Sequence, residues 1–231
     1  MKRQPNGTIE LTLTIPWADV AAGYEKAVLA TVASAELPGF RKGKAPRASV
    51  EAKLDKNQVY SQVIQDLLPA KYAAAVKEHN IKPILYPQLH MEAGKEGQDW
   101  TFTASTCEAP EIKLPQDWQA EVKKLTIKKD DDKLAVIVAH LLKIAPVAVP
   151  DLLVEEEANH RLSGLAENLS QLGLTTQQYL NSKKLTPETL KAQNSTQARQ
   201  DLSAELVLSS VQSEAKLDSR PKTLEFLKSL L

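Results

Sequence analysis

Gly39-Phe40-Arg41-Lys42-Gly43-Lys44-Ala45-Pro46 holds one aromatic ring and two cations between two glycines, and a third cation and a proline follow. The chain has 8 glycines and spends two of them here, so the tightest turning is concentrated in this stretch. Glycine turns the backbone where other residues would be strained, and proline fixes the exit. The stretch predicts an exposed loop tip presenting Phe40, Arg41 and Lys42. Such a tip suits an anionic surface with an apolar crevice. An ordinary solvated basic turn is the competing reading.

On the N-terminal side, Ile9, Leu11, Leu13 and Ile15 alternate with Thr8, Glu10, Thr12 and Thr14. That is a strand with one buried face, and Pro16 stops it. Val20, Tyr24, Ala27, Val28 and Val32 then recur at helical spacing, which predicts a helix over 17–35. Beyond the loop, Val59, Val63, Ile64, Leu67 and Leu68 predict a helical stretch of about 30 residues. Pro69 is expected to kink or divide it, because proline lacks a backbone donor. Residues 81–91 read as a strand interrupted by Pro83 and Pro87, hence an edge. A turn at Gly94-Lys95-Glu96-Gly97 leads to a second strand, with Trp100, Phe102, Ala104 and Thr106 on one face. The two runs predict a hairpin. Pro110 and Pro115 mark a boundary.

Residues 118–128 read as an extended segment with a bulge, because Ala120 and Val122 take one phase and Leu125 and Ile127 the other. Asp130-Asp131-Asp132 opens a helix carrying Leu134, Ile137, Val138, Leu141 and Leu142. Carboxylates there cap bare amides and favour the macrodipole. A calcium loop would need alternating oxygen ligands, a glycine and a distal glutamate that this stretch lacks. An apolar, proline-bounded connector follows at 145–150. Ala158, Leu162, Leu165, Leu169 and Leu172 then form a heptad-like seam, with Gly173 as its stop. Thr175 with Gln178 forms a capping box, and Thr186-Pro187-Glu188 starts a long helix. Its middle, 191–201, is polar; Leu202, Leu206, Leu208 and Val211 are apolar again. An antiparallel helical arm is expected. Ser219-Arg220-Pro221 breaks the long helix and leaves a short apolar tail of Leu224, Phe226, Leu227, Leu230 and Leu231. The tail has three open roles: packing back on the helical body, a dimer contact, or a client contact.

Gly-Phe-Arg-Lys-Gly-Lys-x-Pro resembles the ribosome-docking loop of the trigger factor family of bacterial chaperones. The order of strand, helix, loop, helix and two strands is similar to that family's N-terminal domain. Val149-Pro150-Asp151-Leu152-Leu153-Val154-Glu155-Glu156-Glu157 resembles the opening of its C-terminal domain, and Leu172-Gly173-Leu174-Thr175-Thr176-Gln177-Gln178-Tyr179-Leu180 the turn and helix after it. The resemblance implies an α+β chain. Residues 1–115 would be a ribosome-binding domain of helices with a small antiparallel sheet. Residues 116–148 would be an extended linker and helix, and 149–231 an all-α arm domain shortened by the loss of a second arm.

The family normally carries an FKBP-like prolyl isomerase domain between these parts, and such a domain needs on the order of 100 residues. Residues 144–149 cannot hold one. The resemblance therefore implies a chaperone without catalytic residues. It places ribosome binding on Gly39, Phe40, Arg41, Lys42, Gly43, Lys44 and Pro46, against a ribosomal protein or rRNA of the large subunit near the exit tunnel. Leu162, Leu165, Leu169, Leu172, Leu202, Leu206 and Leu227 are the expected contacts for unfolded or nascent polypeptides. A non-ribosomal adaptor that binds one folded partner is the alternative.

Lys+Arg and Asp+Glu both number 29, so no chain-wide field draws the protein to nucleic acid or membrane. Any ribosome attraction must be local, at Arg41, Lys42, Lys44 and Arg47. The single cysteine, Cys107, excludes an internal disulfide and reads as a small buried strand residue. No apolar leader opens the sequence and no run reaches membrane-spanning length, so a cytoplasmic, partly ribosome-associated protein is expected. His79, His90, His140 and His160 lack metal-ligand spacing, and no nucleotide or other cofactor is implied.

Overall fold

Alternation at the N-terminus becomes strand β2 (Thr8–Ile15), with Ile9, Leu11, Leu13 and Ile15 all buried. It lies in a small antiparallel sheet ordered β1-β2-β4-β3, with β1 at Lys2–Arg3, β3 at Gln88–Ala93 and β4 at Trp100–Cys107. The computed structural model describes residues 1–35, 40–41, 46–126 and 132–231. The chain divides into two units, one of Met1–Arg3 with Ile9–Thr106 and one of Gln4–Thr8 with Cys107–Leu231.

In the first unit, helices α1 (Trp17–Ser34), α2 (Arg47–Glu51) and α3 (Lys56–Glu78) accompany the sheet. β3 and β4 form the expected hairpin, with Leu89 opposite Ala104 and Met91 opposite Phe102. β3 is the edge strand, and it is shorter than expected because it begins only after Pro87. The core joins the inner face of β2 and β4 to Val20, Ile64 and Leu68. α1 and α3 pack so closely at Gly23 that an added Cβ would come within 2.5 Å of the Val63 Cγ1.

One expectation for the helices fails here, and so does the dividing half of another. The helical stretch after the loop divides at residues 52–55, where the Asp55 carboxylate caps α3 by accepting from the Asn57 N–H. Pro69 does not divide it; α3 runs through. The carbonyl that proline leaves without its helical donor belongs to Gln65, on the exposed side, where water can bond it.

The described elements of the second unit beyond residue 107 are all helical: α4 (Trp118–Lys123), α5 (Lys133–Ile144), α6 (Asp151–Gln171), α7 (Thr176–Lys183), α8 (Pro187–Glu214) and α9 (Arg220–Ser229). Helix α4 corrects the extended reading of 118–128. Trp118 and Val122 stand one turn apart and both are buried, against Ile137, Leu141, Val207 and Leu227. The linker thus contributes to a core. Among the three aspartates, Asp132 caps α5 by accepting from the Leu134 N–H; Asp130 and Asp131 lie outside the described residues, as do Ile127 and Lys128.

α6 lies along α8, with Val154, Ala158 and Ala198 buried between them. The polar middle of α8 faces partners on α6: Arg161 pairs with Glu157 and Asp201, and Arg199 with Asp151. Gly173 ends the α6 region at φ +71, and the Thr175–Gln178 capping box forms in both directions. Ser219 and Pro221 open α9 after the break in the long helix, as the sequence predicts.

Candidate functional site

The loop is rooted on two helices. Ala35 ends α1, and Pro46 opens α2 at φ −57, within the range the proline ring imposes. Phe40 is 47% exposed although it is a large apolar ring, and Arg41 is exposed with no ion pair to another described residue. Pro46 is exposed as well. Gly39, Lys42, Gly43 and Lys44 lie outside the described residues.

Arg47 departs from its expected place in the cation cluster. Its guanidinium reaches the Glu25 carboxylate on α1 at 2.8 Å and the Glu51 carboxylate on α2 at 2.8 Å. The hydrogen bond from Arg47 holds the Glu25 carboxyl below its usual range, and the bonds to Glu25 and then Glu51 hold the proton on Arg47 more tightly still. Arg47 therefore braces the start of α2 against α1. Its charge is answered within the domain and adds little to a docking field.

The seven leucines expected to meet clients divide unevenly. Leu227 is 0% exposed, in the core with Trp118, Ile137 and Val211. Leu169 is also buried. Leu202 and Leu206 pack against the buried cluster between α6 and α8, and Leu162 and Leu165 are half-buried. Leu172 alone of the seven is exposed, at 73%. The tail packs back as α9 because Leu224, Phe226, Leu227 and Leu230 recur at helical spacing and fill one core, where Phe226 meets Trp118 edge to face at 6.3 Å. The first open role of the tail is the observed one, and as a client contact Leu227 is corrected.

Exposed apolar surface gathers instead in the first unit. A groove of about 730 Å³ runs between α3 and β3, lined by Ile64, Leu68, Tyr72, Tyr86, Leu89 and Met91 among others. Tyr86 is 97% exposed, Leu89 49% and Met91 45%. Sequence reasoning missed these residues as a site. Its one available signal was Leu89 and Met91 at a spacing of two on an edge strand just past Pro87.

Among the described residues no three His, Cys, Asp or Glu side chains stand where they could hold a metal. Cys107 is buried, and burial pushes its thiol up. No described helix is long and apolar enough to cross a membrane.

Comparison with known proteins identifies the family. The family model for bacterial trigger factor protein matches residues 1–141, and the model for the trigger factor C-terminus matches 118–225. Similar curated proteins are the trigger factor of Corynebacterium jeikeium, 33% identical over 54% of this chain and 24% of that protein, and that of Macrococcus caseolyticus, 36% identical over 54% and 28%. The trigger factor of Staphylococcus aureus is 33% identical over 57% of this chain and 30% of its own length. The chain thus spans less than a third of the length of these relatives. A solved trigger factor structure, from work on promiscuous substrate recognition in folding and assembly, covers 62% of this chain and 34% of its own at 22% identity and a TM-score of 0.39. With the first family model covering more than half of its residues, the chain belongs to the bacterial trigger factor family.

Proposed function

We propose that the chain is an ATP-independent holdase of the trigger factor type, working in the cytoplasm and partly on ribosomes. The carrying observation is that the N-terminal and C-terminal family matches overlap at residues 118–141. Docking and arm regions are then contiguous, with no interval for an isomerase domain. Residues 1–115 dock beside the exit tunnel of the large subunit. Phe40 fills an apolar pocket as the anchor, and Arg41 with Lys42 pairs with a carboxylate of a ribosomal protein or an rRNA phosphate. Unfolded nascent chains are shielded by weak contacts, which prevents aggregation of their exposed apolar segments. The exposure of Phe40 and Arg41 supports the docking part.

The test is co-sedimentation with purified ribosomes. Replacing Phe40, Arg41 and Lys42 together with alanine is expected to abolish pelleting without moving the melting temperature. Normal pelleting by the folded variant would overturn the docking assignment. In a protease-coupled prolyl peptide assay the pure chain is expected to match background. A second reading, an adaptor for one folded partner, is favoured by the burial of most arm leucines, which leaves that region little open client surface. It takes over if the chain neither pellets with ribosomes nor protects an unfolded client.

A further inference from the structure

The groove of the first unit is open along one side, and that side is a strand edge. β3 ends the order β1-β2-β4-β3, and each of its residues is exposed. Among the described residues no strand pairs with its outer side. That side presents a row of backbone donors and acceptors of the kind that pairs readily with another chain. Leu89 and Met91 stand opposite Ala104 and Phe102, and directly opposed residues project to the same face. Ala104 and Phe102 belong to the core, so Leu89 and Met91 extend its apolar face past the last strand. The groove beside them has no charged residue in its lining. Tyr72, one of its lining residues, turns its hydroxyl to a buried position without a hydrogen-bond partner.

We propose that this edge and groove bind an extended, uncharged apolar segment of an unfolded chain as an added strand. The inference rests on the holdase reading and names the class of client segment. Main-chain bonds to β3 would give affinity that ignores sequence, while alternate side chains enter the groove. The uncharged lining selects the occupant: a charged side chain would be stripped of water against Leu68 and Phe102 with no counter-charge beside it. A helical segment keeps its backbone bonds to itself and leaves the edge unpaired.

The probe is a fluorescein-labelled peptide of about ten residues, near the length of an ordinary strand, alternating valine and threonine between lysine ends. Two isomers carry N-methyl groups on the valine amides or on the threonine amides. Because alternate amides of a strand face its partner, one isomer is expected to bind the full chain like the unmodified peptide and the other to weaken about tenfold. Leu89→Lys and Met91→Lys are expected to weaken binding of the unmodified peptide by a similar factor. In the unaltered protein the β3 amides are expected to gain hydrogen-exchange protection when peptide is added. Equal binding of both isomers, unchanged binding by the folded variants, or no protection in β3 would overturn the assignment. So would a dimer by light scattering with β3 protected before peptide is added, which would make a second copy the occupant. A parallel aggregation assay separates the two claims. Client protection without peptide binding sinks the edge assignment alone, and peptide binding without client protection sinks the holdase reading alone.

Discussion

Leu227 and Met91 are both apolar, and both sit near the end of an element, yet one is sealed and the other is open. In the second unit Leu227 is 0% exposed, under α5 and α8, and the neighbouring leucines of α6 and α8 are at least half covered. In the first unit the sheet stops one strand short of covering its own apolar face, so Met91 stays 45% exposed beside a groove. Helices close their surfaces against one another wherever a partner stripe exists, and α9 supplies the last stripe. A sheet can be closed only by another strand or a covering element, and at β3 neither is present among the described residues. A run of leucines in a sequence therefore says less about exposure than the geometry of the element that carries it.

Breaking the sealed side should give the largest effect. Trp118 is 1% exposed and its indole N–H donates to the Glu214 carboxylate at 2.9 Å, so Trp118→Ala should cost about 3–5 kcal/mol in urea unfolding. Leu227→Ala should follow at about 2–5 kcal/mol. A loss near zero at Leu227 would mean that the tail leaves its core easily, and the contrast between the units would fail. Removing the cap in Thr175→Ala should cost about 1 kcal/mol, since its hydroxyl satisfies an amide at the start of α7. On the open side, Met91→Ser should change stability by less than about 0.5 kcal/mol while lowering client protection in a light-scattering assay. The same change with unaltered protection would make the arm, and not the groove, the working surface.

The smallest effect should come from acid. Arg47 depresses the folded-state pKa of Glu25 below its ordinary 4.5. Its contribution is therefore present above that ordinary value and is lost as pH falls through the lower folded value. The melting temperature of the native chain should fall slightly more across that window than that of Glu25→Gln. Equal slopes would show that the α1–α2 brace adds nothing.

Alternation and capping were the legible parts of the sequence. β2, β4, the hairpin, the Thr175 and Thr186 caps and the turn at Gly173 rest on neighbours a few residues apart, and all are present. Residues 118–123 were misread because Ala120 and Val122 fit a period of two as readily as Trp118 and Val122 fit a helical turn. The choice was made by Ile137, Leu141 and Val207, which are distant in sequence. The brace from Arg47 to Glu25 spans 22 residues, and no local pattern announces it. The leucine seam was visible as a seam. What covers it was not, because that depends on α8 arriving from later in the chain.

The connector between α5 and α6 is a point of mechanical sensitivity. Ala145 and Val149 are buried, and Val147 packs against the clusters on both sides of it. A segment that could have remained a passive tether has put Val147 into the filling of two cores, with Ala145 and Val149 buried on either side of it. A domain spliced in at this point would pull that filling out of both. A segment inserted between Ala145 and Val149 would therefore separate packing that the present spacing holds together.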